Sequence, residues 1–335
     1  MKLTITKLLT IPMIIQFSHN GKQLNISQRT NLNNKAFHFD ENSKTSGYRY
    51  WNNENTHKRK FINQTGWYLE NVGDSFNPVP KKGSLYFWGE WEPQSKFKLT
   101  GNSFYNSNIP HAIHQPIFSK RGMGSHNTDP FVFGENFYYT NCKQKEIGKG
   151  RMMLHLEPNS IILFGSEIGR SKFVIDTVFV VKSSVSVQDY SSQSNGYPDL
   201  LKYATIESPI GLAAWNKVYT GKMHNINSEF KEDSEEIFSF VPCKLDYSKI
   251  GFERPVIDKD KFKLQKPGAG TVLGKVDYHK GIAENNENNY WMDLIAELAK
   301  QGFSLGIKLE MPMSNDTIDF PEYEPTAANC KTSKC

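Results

Sequence analysis

From Gly66 onward the chain is a series of short apolar runs cut by Gly, Pro and Asn: SLYFWGEW, DPFVFG, NFYYTNC, SIILFG, KFVIDTVFVVK and EIFSFVPC. Runs of about four to eight residues rich in β-branched and aromatic side chains read as strands, because a pleated, half-buried surface packs such groups well. One segment has helical spacing. Trp291, Leu294, Ile295 and Leu298 recur at i, i+3, i+4 and i+7, and Gly302 stands where a C-terminal cap belongs. Strand and helix patterns do not alternate, which argues against a doubly wound parallel sheet. The expected fold is α+β with few helices, built on a curled, mainly antiparallel sheet or barrel that holds residues 84–91, 161–164 and 173–181.

The chain has 335 residues, 38% of them hydrophobic and 22% charged, enough for a substantial core and against wholesale disorder. No apolar stretch is long enough to span a membrane as a helix, and no membrane partner is expected. Forty Lys and Arg against 35 Asp and Glu give a net charge of +5 and a pI near 8.8, which singles out no partner. The four cysteines, Cys142, Cys243, Cys330 and Cys335, form no CxxC motif, and a reducing cytoplasm is expected. The opening MKLTITKLLTIPMIIQF is interrupted by Lys7 and Pro12 and reads as one or two strands rather than a leader. Residues 20–57, polar and Asn-rich, read as a surface excursion. We expect residues 1–319 to form one α+β domain with a C-terminal helical extension, its softest boundary at 183–195, followed by a disordered tail over 320–335.

Three regions carry residue types suited to chemistry. In a strand through residues 84–92, alternation puts Tyr86, Trp88, Glu90 and Glu92 on one face and Leu85, Phe87, Gly89 and Trp91 on the other. Rings beside carboxylates can stack on a base and accept hydrogen bonds from its edge; an edge strand with solvated carboxylates gives the same pattern. Residues 110–144 hold the densest polar and aromatic mixture, including His111, His114, Arg121, His126, Asn127, Asp129, Asn141 and Cys142. The Gly-rich stretch RGMGSHNTDP reads as a loop in which Asn127 and Asp129 fix the turn before Pro130, by itself or around a ligand. Pro110 and Pro116 bracket His111 and His114, so no helix presents that pair to a metal, and no metal or other cofactor is expected. A Cys142 nucleophile paired with His126 or His114 is a further arrangement. Asp176, inside FVIDTVFVV, shares a face by alternation with Val174, Val178 and Val180; burial would raise its pKa and suit it to acid–base work, unless it pairs with an Arg or Tyr. The common signatures of dinucleotide, triphosphate, zinc-hydrolase, serine-hydrolase and calcium sites are missing. The related runs GSLYFWG and NSIILFG read as two Gly-punctuated buried strands.

GSLYFWGEW, and SIILFG followed by KFVIDTVFVV, resemble the strand pairs of PUA-like folds, the group of EVE, ASCH and YTH domains. NTDPFVFGENFYYTNCKQ, with EIFSFVPC, is similar to nucleotide-modification-associated domains. The resemblance covers residues 66–182. It implies a compact barrel with an aromatic pocket for a nucleobase and a bacterial role in base modification or phage defence. The expected function is binding of a modified nucleobase, nucleotide or nucleic acid through Tyr86, Trp88, Glu90, Arg121, Asn127, Asp129 and Asn141. One alternative is an enzyme acting on a nucleotide, with Asp129 or Asp176 as base and His126 or His111 as acid. Another is a structural subunit of a defence complex.

Overall fold

The structure is a computed structural model and describes residues 12–18, 59–70, 72, 78–91, 93, 95–100, 110, 112–118, 128–142, 144, 152–192, 198–206, 216–231, 236–246, 254–262, 264 and 286–314. His111, Arg121, His126 and Asn127 lie outside the described residues, as do segment 20–57 and the tail with Cys330 and Cys335.

The fold is α+β, with strands in the majority, arranged in two sheets. In the first, β1 (Ile14–Ser18) runs parallel to β7 (Ile161–Ile168), and β7 forms an antiparallel hairpin with β8 (Lys172–Ser186). The long strand β8 changes partner along its length. Its start pairs with β11 (Val256–Asp258), Val178 bridges to Phe240, and its end pairs with β9 (Lys217–Gly221), which carries β6 (Tyr138–Tyr139) on its other edge. Residues 183–186 are therefore paired strand, and α1 (Val187–Ser192) follows directly.

The second sheet contains a closed ring. Strands β2 (Lys60–Leu69), β3 (Lys81–Gly89), β10 (Val241–Lys244) and β12 (Ser304–Leu309) pair antiparallel in the order β2–β3–β10–β12 and back to β2. Closure removes the exposed edges that an open four-stranded sheet would leave. From the ring, β5 (Ala112–Phe118) extends parallel to β2 and carries β4 (Ser95–Leu99) and the short β13 (Met313–Ser314). The expected single curled sheet is thus divided: residues 84–89 lie in the ring, while 161–164 and 173–181 form the hairpin of the other sheet. The bridges Val178↔Phe240 and Phe133↔Leu309 link the two.

Two apolar clusters hold these layers together. One joins Phe17, Phe164 and Phe179 of the first sheet to Ile62, Leu85 and Phe87 of the ring. The other joins Leu163, Phe173 and Ile175 to Leu305 and Ile307 and to a helix. That helix is the one expected from spacing, α3 (Asn286–Lys300), and Gly302 caps it at φ +74°, a conformation that costs a residue without Cβ little. Besides α1, the other helical pieces among the described residues are α2 (Asp199–Leu201), its π-helical continuation Lys202–Ile206, and a 3-10 turn at Met152–Leu154. No helix among the described residues is long and apolar enough to cross a membrane.

A β-bulge sets the geometry that matters most below. Phe164 pairs with Thr177 and the next residue, Gly165, with Ile175, so Asp176 is the extra residue of β8. The bulge reverses the alternation. Phe173 and Ile175 share a cluster with Val178 and Val180, so the face expected for Asp176 does not continue past it. Gly165 makes the bulge possible, because a Cβ there would lie 1.9 Å from the carbonyl oxygen of Val174.

Trp291 is fully buried and its indole nitrogen donates to the Phe238 carbonyl at 3.0 Å. Trp291→Ala is expected to lower unfolding stability by roughly 3 to 5 kcal/mol in urea titration, with the ring strands and α3 losing structure together.

Candidate functional site

The closed ring and the bulge meet at a buried polar centre. Arg59 precedes β2 and Glu90 follows β3, one step beyond the Lys60↔Gly89 pair, so the two face each other. Arg59 Nη1 donates to Glu90 Oε2 at 2.5 Å, and Arg59 Nε lies 2.8 Å from Asp176 Oδ2. Arg254 reaches the same carboxylate from ahead of β11: its Nη2 is 2.7 Å from both oxygens of Asp176, its Nε donates to Oδ1 at 3.0 Å, and Nη2 also donates to Ser166 Oγ at 2.8 Å. The Arg254 guanidinium stands 5.7 Å from the Trp88 ring centre, within cation–π range. All of these residues are buried.

Burial opposes the charge on Arg59, but Asp176 and Glu90 more than offset it, and its pKa stands above the ordinary value. Burial dominates at Arg254 and lowers its pKa, with Asp176 acting in the opposite sense. Two cations thus hold one bulged carboxylate. Such an arrangement is tolerated only when every member is paired, since removing one partner strands a charge away from water.

The second part of the centre is the turn at residues 140–142. Asp129 is completely buried and accepts three backbone N–H bonds: Thr140 to Oδ1 at 2.8 Å, and Asn141 and Cys142 to Oδ2 at 2.9 and 2.7 Å. Its pKa is nonetheless pushed up to about 7, because burial outweighs those amides and the Glu90 charge adds to the effect. The turn is fastened to β9 as well. Asn216 Nδ2 donates to Asn141 Oδ1 at 3.4 Å, and the Gln144 side chain exchanges two bonds with the backbone of Lys217. The Tyr139 hydroxyl donates to the Cys142 carbonyl, and its ring stacks on Tyr219 at 5.6 Å and 17°. The charges of Glu90 and Asp129 act on each other, as do those of Arg59 and Cys142, so the two parts form one electrostatic site.

Against this geometry, Trp88, Glu90, Asp129, Asn141 and Asp176 fall in or around one centre, but not as sequence reasoning placed them. Trp88 was expected as a partly packed pocket wall. It is 2% exposed, covered by Phe61 at 5.4 Å and by Arg254, yet it belongs to neither apolar cluster. Glu90 is ion-paired rather than solvated, Asp176 is buried and paired with arginines, the alternative to acid–base work that its sequence context offered, and Asp129 clamps amides eleven to thirteen residues ahead rather than its own turn. Tyr86 sits outside the centre, half-buried and stacked with Phe61 at 6.2 Å. His114 faces Ser95 Oγ at 2.8 Å in the β4–β5 hairpin, its pKa lowered well below the ordinary value by burial and by Lys60. Among the described residues no three His, Cys, Asp or Glu side chains gather as a metal would require. Sequence reasoning missed Arg59 and Arg254. A carboxylate inside an apolar run signals a cationic partner, but nothing in the chain order selects these two from 40 basic residues.

Among the described residues, buried polar atoms of the centre that make no hydrogen bond include Arg59 Nη2, Thr140 Oγ1 and Asn216 Oδ1. No protein-family model, curated protein or solved structure matches the chain.

Two outcomes are expected from this electrostatics. Between pH 4 and 7 the folded chain holds a proton on Asp129 that the unfolded chain, with its ordinary carboxyl near 3.8, has released. The stability contributed by Asp129 is therefore greatest at low pH and is lost as pH rises through about 7. Melting temperatures of the wild type and Asp129→Asn, measured between about pH 5 and pH 8.5, should show this fall in the wild type alone. Arg59→Met should cost about 3 to 5 kcal/mol in urea unfolding, because it takes the paired guanidinium from the buried Glu90 and leaves Asp176 to Arg254.

Proposed function

We propose that the protein is a recognition module that binds a nucleobase or nucleotide at the buried polar centre. The observation that carries this reading is the set of unpartnered groups around the Asp129 turn: a guanidinium N–H on Arg59, a hydroxyl on Thr140 and an amide oxygen on Asn216. An unsatisfied buried polar group costs roughly 1 to 3 kcal/mol, and a native site keeps several together when something else completes them. A heterocyclic base carries donors and acceptors side by side on a flat edge, which matches a mixed set of this kind. The rings of Trp88 and of the Tyr139–Tyr219 stack lie beside the centre, and aromatic rings are the side chains on which bases stack. This is also the ligand class that the resemblance to PUA-like domains implies.

A second reading, acid–base catalysis on a nucleotide, is favoured by one observation: burial pushes the Asp129 carboxyl up to about 7, the range in which a general acid or base works at neutral pH. Both Asp129 oxygens are nevertheless engaged by backbone amides, an arrangement that supports a structural clamp and hence recognition.

The test is a thermal-shift and calorimetric screen of the full chain against nucleosides, nucleotides and their base-modified forms. A saturable rise in melting temperature is expected for at least one member. Asn216→Ala, which removes the Asn216 acceptor and leaves its backbone bond to Val187 in place, should weaken that ligand about tenfold while leaving the unliganded melting temperature within a few degrees. No shift across the screen would overturn the proposal. Turnover of a bound nucleotide, abolished by Asp129→Asn, would replace it with the enzymatic reading.

A further inference from the structure

The polar centre is the inner end of a continuous sheet face. On the β2–β3 ribbon, alternation places every second residue on the side that carries Arg59 and Glu90, and the antiparallel register sets them in opposed pairs. Next to the centre comes the buried pair Phe61 and Trp88. Asn63 and Tyr86 follow, both half-buried, and Thr65 and Ser84 are exposed. At the outer end Trp67, half-buried, faces Lys82, whose side chain is 50% exposed. Along β3 the face opens from the buried centre to solvent at Ser84 and Lys82, while along β2 it is most open at Thr65 and closes again through Trp67 to the buried Leu69, at the second apolar cluster.

We infer that this face is a track for single-stranded nucleic acid, laid along the ribbon so that one base enters the polar centre. The inference rests on the function proposed above and extends it from a lone base to a strand. Three features support it. First, Tyr86 and Trp67 are half-buried at two separate points of the same face, Tyr86 resting on Phe61 and Trp67 on the second apolar cluster, and a sequence-tolerant strand binder uses supported aromatic platforms spaced in this way. Bases in a duplex are already stacked on one another, so only an unpaired strand offers them. Second, lysines flank the aromatics from the neighbouring strands. Lys244 of β10 pairs in register with Tyr86, and Lys308 of β12 with Trp67, adding to Lys82. Two of the three hold glutamates in exposed ion pairs, Lys82 with Glu310 and Lys308 with Glu135. Exposed pairs contribute little stability and are readily exchanged for a phosphate. Lys244 donates to the Gln301 carbonyl at 3.2 Å and lies over the Phe303 ring at 4.4 Å. Third, the polar groups between the rings are ordered. Asn63 Nδ2 donates to Ser84 Oγ at 2.6 Å and to the Leu85 carbonyl at 3.3 Å, which fixes an amide and a hydroxyl beside Tyr86. From the Trp67–Lys82 pair to Arg59 and Glu90 the ribbon advances eight residues, about 26 Å, a length suited to the roughly four nucleotides at the short end of such sites.

Fluorescence anisotropy with the full chain tests this, using labelled thymidine and uridine homopolymers of one, two, four, six and eight nucleotides. Affinity is expected to rise with length up to about four or five nucleotides and then to level. The DNA and RNA series show which sugar the track prefers. Trp67→Ala should weaken an eight-nucleotide strand about tenfold while leaving mononucleotide binding unchanged, and Lys82→Ala should reduce the salt dependence by about one phosphate. Circular dichroism melting confirms that each variant is folded; Lys82→Ala, at an exposed position, keeps the test decisive if Trp67→Ala is not. Oligomers that bind no better than the mononucleotide, or a duplex that binds as well as the single strand, would overturn the track and leave the base-binding centre standing. Absence of binding by mononucleotide and oligomer alike would overturn both.

Discussion

A carboxylate withdrawn from water must be surrounded by cations or donors, and at Asp176 that requirement joins the two sheets. Asp176 is the extra residue of the β7–β8 bulge, and its partners come from different parts of the fold: Arg59 from the start of the ring, Arg254 from the approach to β11. Separating either element would take one of its two arginines from the buried Asp176, at a cost of several kcal/mol. Ring and hairpin are therefore registered by charge as well as by the apolar clusters between them. The bulge is in turn fixed by Gly165, the one residue type able to let Val174 approach so closely.

The same network bears on the recognition proposed for the centre. Two guanidinium groups face two paired carboxylates, Glu90 and Asp176, so these four contribute no net charge, and Asp129 titrates near neutrality beside them. A balanced site of this kind selects by hydrogen-bond geometry more than by field strength, which suits the edge of a neutral heterocycle better than a phosphate. On the track we propose, phosphates would instead meet Lys82 and Lys308 on the open part of the ribbon, whose charges are held in ion pairs with Glu310 and Glu135. Asp129 contributes by holding the 140–142 turn against β9, so that Thr140 and Asn216 are presented by a backbone with little freedom to move.

Much of the site was legible in the sequence and misplaced by it. Alternation put Tyr86, Trp88 and Glu90 on one face correctly, yet it could not show that burial increases along that face until Glu90 is enclosed. Asp176 stood out as a carboxylate in an apolar run, but strict period-two reasoning failed there because a bulge inserts a residue without altering composition. Asp129 was expected to cap its own turn. It reaches instead to amides across the β6 segment, a contact that depends on where the chain returns rather than on local turn chemistry.

Local pattern alone determined the strand-rich α+β class, the helix at α3 with its glycine cap, and the main strands, since each follows from short-range periodicity and backbone preference. Tertiary structure alone decided that the ring closes, that residues 84–89 and 161–181 belong to different sheets, and that Arg59 and Arg254 are the cations that meet Asp176. Those outcomes are pairings between residues far apart in the chain: Arg59 and Asp176 are separated by 117 positions, and Gly66 and Leu309, paired where the ring closes, by 243. They are selected by the joint satisfaction of burial and charge, which no local window of sequence contains.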